Sequence, residues 1–184
     1  DASSGRRQNR VFQQNNQARL VTVAPAYRAL RVGAAADPRV AVVNTDSLMA
    51  DNSNRFSRQT KYPALTSALI VSSGVEARLI LAEARGVAEG VGILNALRAR
   101  AGVGLPTLTA AEAADFANTV REERRRELFL QGTRLFDLRR TNAPLVPSPG
   151  TAYPAGGVTA KGGVYGDQRC YPLPDVERAA NPNF

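Results

Sequence analysis

The sequence predicts a mainly α-helical fold: tetratricopeptide-like helical hairpins, preceded by a short β element and followed by a long Pro/Gly-rich C-terminal loop region. Three observations predict it. Ser73-Gly74-Val75-Glu76 and Thr109-Ala110-Ala111-Glu112 each place a carboxylate three residues after a hydroxyl, the pattern that satisfies the free N–H groups at a helix start. Apolar residues at helical spacing follow both. Seven of the eleven prolines fall after Arg140, alongside Gly156, Gly157, Gly162, Gly163 and Gly166, which excludes regular helix there. The 184 residues suffice for one domain with its own core. They divide into a segment of loops, short helix and β element (1–72), a helical core (73–140) and an extended tail packing on the helices (141–184).

Residues 1–20 are polar, rich in Asn, Gln and Arg, and read as a loop or frayed start. A short helix is expected over 21–32, with Pro25 in its first turn. Asp37-Pro38-Arg39 ends it. Val40-Ala41-Val42-Val43 reads as a strand, 44–54 as a polar loop, and 55–62 as a second strand pairing with the first. From Ser73 a helix runs to about Arg85. A second, from about Glu89 to Ala101, carries Ile93, Leu94 and Leu97 and stops at Gly102. The turn between them is short, so they should pack antiparallel, with Ala82 and Ala84 allowing close approach. Asn95 is expected to bond across this pair. The longest helix should run from about Ala110 to Gln131. In the tail, Val158, Val164, Tyr165, Tyr171 and Leu173 favour an extended segment lying over the helices.

Composition removes several chemistries. There is no His, so Ser-His-Asp and Cys-His catalysis and imidazole metal sites are excluded. Cys170 is the only cysteine, which excludes an intrachain disulfide and a thiolate zinc cluster. With no His to activate it, Cys170 reads as a packed or incidental thiol. Apolar runs such as 68–71 are far too short for a membrane span, which needs about 20 residues. The 24 Lys and Arg against 16 Asp and Glu give a net charge of +8, and only Lys61 and Lys161 are lysines. That charge raises nucleic-acid binding. The arginines are spread along the chain with few aromatics near them, which argues against it.

The densest charged stretch is Arg121-Glu122-Glu123-Arg124-Arg125-Arg126-Glu127. At about 100° per residue, Phe116, Val120, Glu123, Glu127 and Leu130 share one face of the helix, so two carboxylates lie in the apolar stripe. Arg134 joins them if Gly132 does not break the helix. These carboxylates are either an acid/base pair or buried partners of arginines, since unpaired burial is very costly. Nothing in the sequence points to a polar cleft beside them, which favours the structural reading.

The stretch Arg121-x-x-Arg124-Arg125-Arg126-Glu127-Leu128-Phe129-Leu130-Gln131-Gly132-x-Arg134-Leu135-Phe136-Asp137-Leu138-Arg139-Arg140 resembles a signature of the SusD/RagB family of surface nutrient-binding lipoproteins. It departs from the usual pattern at Gln131, commonly Glu, and at Thr133, often His. Tyr171-Pro172-Leu173-Pro174-Asp175-Val176-Glu177 with Asn181-Pro182 is similar to the family's ending. The stretches 76–84 and 94–102 resemble its shared helices, and Asp37-Pro38-Arg39 and Lys61-Tyr62 also fit. The matches are collinear from 37 to 184 and resemble the C-terminal part of longer members.

The resemblance implies a protein of the outer membrane, facing outward, that is not an enzyme and uses no cofactor or metal. Its implied partners are an oligosaccharide or other nutrient and a SusC-like TonB-dependent transporter. Membrane attachment would come only through an upstream lipid anchor. Glycan contact in such proteins is aromatic, which singles out Tyr27, Phe56, Tyr62, Tyr153 and Tyr165 in a chain without Trp. Glu123, Glu127, Arg134, Asp137 and Arg139 are then expected to form a structural ion-pair network. Rival readings are a helical-repeat scaffold for a peptide or protein, a nucleic-acid binder, and a glycosidase using Glu123 and Glu127.

Overall fold

A computed structural model describes residues 8–153, 163–171 and 174–180. The expected β element is present with shifted bounds: its first strand continues to Leu48 through residues expected to be loop, and its second stops at Gln59. Strand β3 (Val42–Leu48) pairs antiparallel with β4 (Arg55–Gln59), with Val42 opposite Gln59 and an irregularity between Asn44 and Leu48. A small preceding hairpin joins β1 (Arg31–Val32) to β2 (Ala35–Ala36) through Gly33, whose φ of 57° suits a residue without Cβ.

Two expectations for the N-terminal segment are overturned. The helix over 21–32 is reduced to one 3-10 turn, Pro25–Tyr27. Its first residues are instead extended, and Val23 N donates to Ser57 O at 3.2 Å. Residues 8–20 are not a loose start. They form a short α1 (Arg10–Phe12) and a π-helical turn (Gln13–Gln17) whose amides serve the outer edge of β4. Asn15 Oδ1 accepts from Gln59 N at 2.9 Å, Thr22 Oγ1 accepts from Ser57 N at 2.8 Å, and Asn16 pairs with the Gln59 side chain at 3.0 Å. An open strand edge is thus capped by side chains. The Asn/Gln-rich composition that looks like disorder supplies these groups.

Helix α2 (Gly74–Ala99) starts at Ser73, whose hydroxyl accepts from Glu76 N as expected. It is broken at Gly86 (φ 67°, ψ −166°), a conformation open essentially to Gly alone. The halves fold back on each other. A Cβ placed on Gly90 would lie 2.6 Å from Ala82 O, an atom that an unbroken helix would hold about 12 Å away. Gly90 and Ala82 make this contact, whereas Ala84 is exposed. The helices that follow are unequal to this pair, so a regular tetratricopeptide-like repetition does not emerge among the described residues.

The helix expected from Ala110 to Gln131 is two helices. The Thr109–Glu112 capping box opens α3 (Ala110–Ala114), and α4 (Phe116–Glu127) follows a kink at Asp115. Thr119 Oγ1 donates to Glu112 O at 2.7 Å, taking the carbonyl that a continuous helix would give to Phe116 N. At its end, Phe129 O accepts from Lys61 Nζ at 2.6 Å and Leu130 O from Tyr62 Oη at 3.3 Å. Leu130 and Gly132 both have positive φ, so α5 (Arg134–Arg140) begins a new direction. Asn95 Oδ1 accepts from Leu108 N at 2.8 Å in the loop after α2, rather than bonding across the helix pair.

Leu79, Ala82, Leu94, Leu97, Val120 and Leu128 form the main core, and Val23, Val40 and Phe129 a second cluster. Adjacent residues Leu128 and Phe129 join the two. The tail is tied by Arg169 Nη1, which donates to Leu138 O and Ala143 O at 3.2 and 2.9 Å. Val164 is exposed, Tyr171 is largely exposed but borders a cleft with Leu135 and Leu138 of α5, and Val158 and Leu173 lie outside the described residues. A short helix, α6 (Asp175–Ala180), interrupts what was expected to be helix-free. Cys170 is exposed, which leaves the incidental thiol of the two readings.

Candidate functional site

Helix α4 turns both stripe carboxylates inward. Glu123 and Glu127 are buried, as expected of residues on the face that carries Val120. Each is held by two arginines from different parts of the chain. Glu123 Oε2 accepts from Arg39 Nη1 at 2.5 Å and Oε1 from Arg98 Nη2 at 2.8 Å. Glu127 Oε1 accepts from Arg100 Nη1 at 2.6 Å and from Arg39 at 3.1 Å, and Oε2 from Arg100 Nη2 at 2.6 Å. Asp37 grips Arg39 through both oxygens, at 2.9 and 2.8 Å, and also takes Arg126 at 3.0 Å. Glu112 completes this set by accepting from Arg98 at 2.7 Å.

A second set lies beside it. Asp137 pairs with Arg124 at 3.0 Å and Arg140 at 2.9 Å, and Arg140 reaches Glu83 at 2.5 Å. Of the residues expected in the network, Glu123 and Glu127 thus meet in one set and Asp137 belongs to the other. Arg139 is exposed and takes part in neither. Arg134 lies beyond the break at Gly132 and faces another part of the molecule. Two guanidinium nitrogens, Nη1 of Arg124 and Nη1 of Arg134, are buried without a hydrogen-bond partner.

The electrostatics follow from pairing against burial. Burial opposes charge at Asp37, but hydrogen bonds from Arg39 and Arg126 outweigh it and lower its pKa to about 2. At Glu112 burial is likewise outweighed, by Arg98 and Thr109, and the pKa falls to about 2. Burial works against Arg39 as well, yet Asp37 and Glu123 raise its pKa. Lys61 has no such compensation. Burial lowers its amine to about 8, with Glu127 opposing only partly. Glu123 and Glu127 use all four carboxylate oxygens on arginines. This arrangement locks helices together.

The missed partners are Asp37, Arg39, Glu83, Arg98, Arg100, Glu112, Arg124, Arg126 and Arg140. Arg98 carried a legible signal, since it continues the apolar stripe one turn after Leu94 and is itself buried.

The five aromatic candidates are not brought together. Phe56 and Tyr62 are 3% and 2% exposed and belong to the interior. Tyr27 has Phe129 5.3 Å away, centroid to centroid, and the Arg125 guanidinium 4.8 Å from its centroid. It lines a cleft of about 730 Å³ between the N-terminal segment and α5, with Val11, Val23, Phe129, Leu135 and Leu138. Tyr153 and Tyr165 form an edge-to-face pair, centroids 5.2 Å apart, on a bridge joining Ala152 to Val164. Tyr153 is 52% exposed, so this pair alone offers an open aromatic surface among the five candidates.

Among the described residues no cluster of three metal-ligating side chains occurs, and no helix is long and apolar enough to cross a membrane. Comparison with curated proteins and with solved structures returns no match. The profile of the SusD family matches residues 75–182, from the first turn of α2 through α6. That span holds both fold-back halves of α2, the paired carboxylates of α4 and the Arg134–Arg140 helix, and it covers more than half of the chain. The chain belongs to the SusD family.

Proposed function

We propose that this chain is the nutrient-binding component of an outer-membrane uptake system, taking a glycan-class ligand and presenting it to a SusC-type TonB-dependent transporter. The family match over 75–182 carries this reading. The ligand-facing element is the Tyr153–Tyr165 pair. A sugar ring stacks its C–H face on an aromatic ring, and Tyr153 keeps a face open while its hydroxyl offers a hydrogen bond. Neither tyrosine belongs to the two ion-pair sets, so recognition and fold locking use separate residues. Attachment to the outer membrane through an upstream lipid anchor belongs to the same reading.

Two measurements test it. Outer-membrane extracts passed over the immobilised chain should retain a TonB-dependent transporter identifiable by mass spectrometry. Titration with a panel of oligosaccharides should give saturable binding that Tyr153→Ala weakens about tenfold, the cost of one lost stacking contact. Retention of no such transporter, or equal affinity of wild type and Tyr153→Ala, contradicts the proposal.

A further inference from the structure

The 730 Å³ cleft beside Tyr27 is of the size that encloses a small organic ligand. Its wall is mostly apolar, built from Val11 and Val23 on one side and Phe129, Leu135 and Leu138 on the other. The amides of Asn15 and Gln59 and the hydroxyl of Thr22 on that wall are already engaged with backbone groups.

Among the described lining residues the charges are all of one sign, Arg10, Arg125 and Arg134, with no carboxylate. Arg125 is paired with Glu122 at 2.6 Å and lies against Tyr27. Arg134 has no ion pair among the described residues, and its Nη1 is buried without a hydrogen-bond partner. A buried charged donor without an acceptor is costly, and a carboxylate is the acceptor that a guanidinium fits best. The side chain as a whole is half-buried and lines the cleft.

From these observations we infer that the cleft is a binding site for a small amphiphilic monocarboxylate, its apolar body against Phe129 and Leu138 and its carboxylate on Arg134. This site is separate from the Tyr153–Tyr165 surface and does not depend on the nature of the ligand bound there.

Calorimetric titration with dodecanoate, dodecanol and acetate below micelle concentrations, at about 0.15 M salt to screen the surface charge, tests it. The expected result is one saturable site for dodecanoate, with dodecanol at least tenfold weaker and acetate without measurable binding. Arg134→Gln should weaken dodecanoate about tenfold, the loss of one charge-assisted contact, and abolish the preference over dodecanol. Arg139→Gln removes the same charge from the same helix at an exposed position and should change nothing. Equal affinity for acid and alcohol overturns the inference, as does an equal effect of the two variants. A self-associated chain that excludes dodecanoate also overturns it, since a second copy would then be the occupant. If Arg134→Gln does not fold, the wild-type preference between dodecanoate and dodecanol decides the matter.

Discussion

Arg39 donates to Asp37, Glu123 and Glu127, the last two on a helix more than eighty residues away. Removing it leaves three buried carboxylates short of a partner. Arg39→Met should therefore cost about 3–5 kcal/mol in urea denaturation, whereas Arg85→Ala, which breaks the exposed pair with Glu89, should cost under about 0.5 kcal/mol. Protonation probes the same residues. The carboxyls of Asp37 and Glu112 are lowered to about 2, so the folded state holds fewer protons than the unfolded chain as pH falls through 4. Their stabilisation is complete above pH about 4.5 and is lost progressively toward pH 2. Lys61 acts with the same sign in a higher pH window. Its folded amine titrates near 8 against 10.5, so the unfolded chain holds the extra proton between those values and stability gains from rising pH. Denaturation midpoints of wild type should rise relative to Lys61→Gln between pH 7.5 and 9.5, and parallel profiles would contradict that assignment. At this scale the sequence disclosed that two carboxylates lie in an apolar stripe, because helical spacing is local. Their partners were hidden, because Arg39 meets them only through the tertiary fold.

The fold-back of α2 rests on two glycines with different duties. Gly86 supplies a backbone conformation, and Gly90 supplies clearance. A methyl at Gly90 would sit 2.3 Å from the Phe116 ring and 2.6 Å from Ala82 O, and the carbonyl cannot move without shifting the helix. Gly90→Ala should then destabilise by about 1–3 kcal/mol through overpacking, despite the higher helix propensity of Ala. Gly86→Ala should cost a similar amount through strain, with open space around its Cβ. Thermal melting of both variants checks this, and a stabilised Gly90→Ala would show that the halves do not pack this closely. Helix starts were legible because a capping box is a four-residue signal. Helix ends were less so. The break at Asp115 depends on the Thr119 hydroxyl, and the end at Glu127 on Lys61 and Tyr62, neither of which is a local breaker. The helix expected over 21–32 failed for a related reason, since Val23 is drawn into pairing with Ser57.

Across the whole molecule, the two ion-pair sets join the segment before β3, both ends of the α2–α4 unit and the last long helix. Six acids, Asp37, Glu83, Glu112, Glu123, Glu127 and Asp137, face six arginines, Arg39, Arg98, Arg100, Arg124, Arg126 and Arg140. These twelve charges cancel, so the net charge of +8 resides entirely on other residues. The arginines of α4 are therefore largely neutralised from within. The mainly helical character and the family were readable from collinear motifs. The apolar cleft was not, because its walls come from residues more than a hundred positions apart that no spacing rule connects. The central claim is that the buried acids of α4 lock the fold, and Glu127→Ala tests it most directly. Urea denaturation should show a loss of about 3–5 kcal/mol for this variant, while Glu122→Ala, on the same helix in a more exposed pair, stays within about 0.5 kcal/mol of wild type. Coincident unfolding curves for Glu127→Ala and wild type would contradict the account.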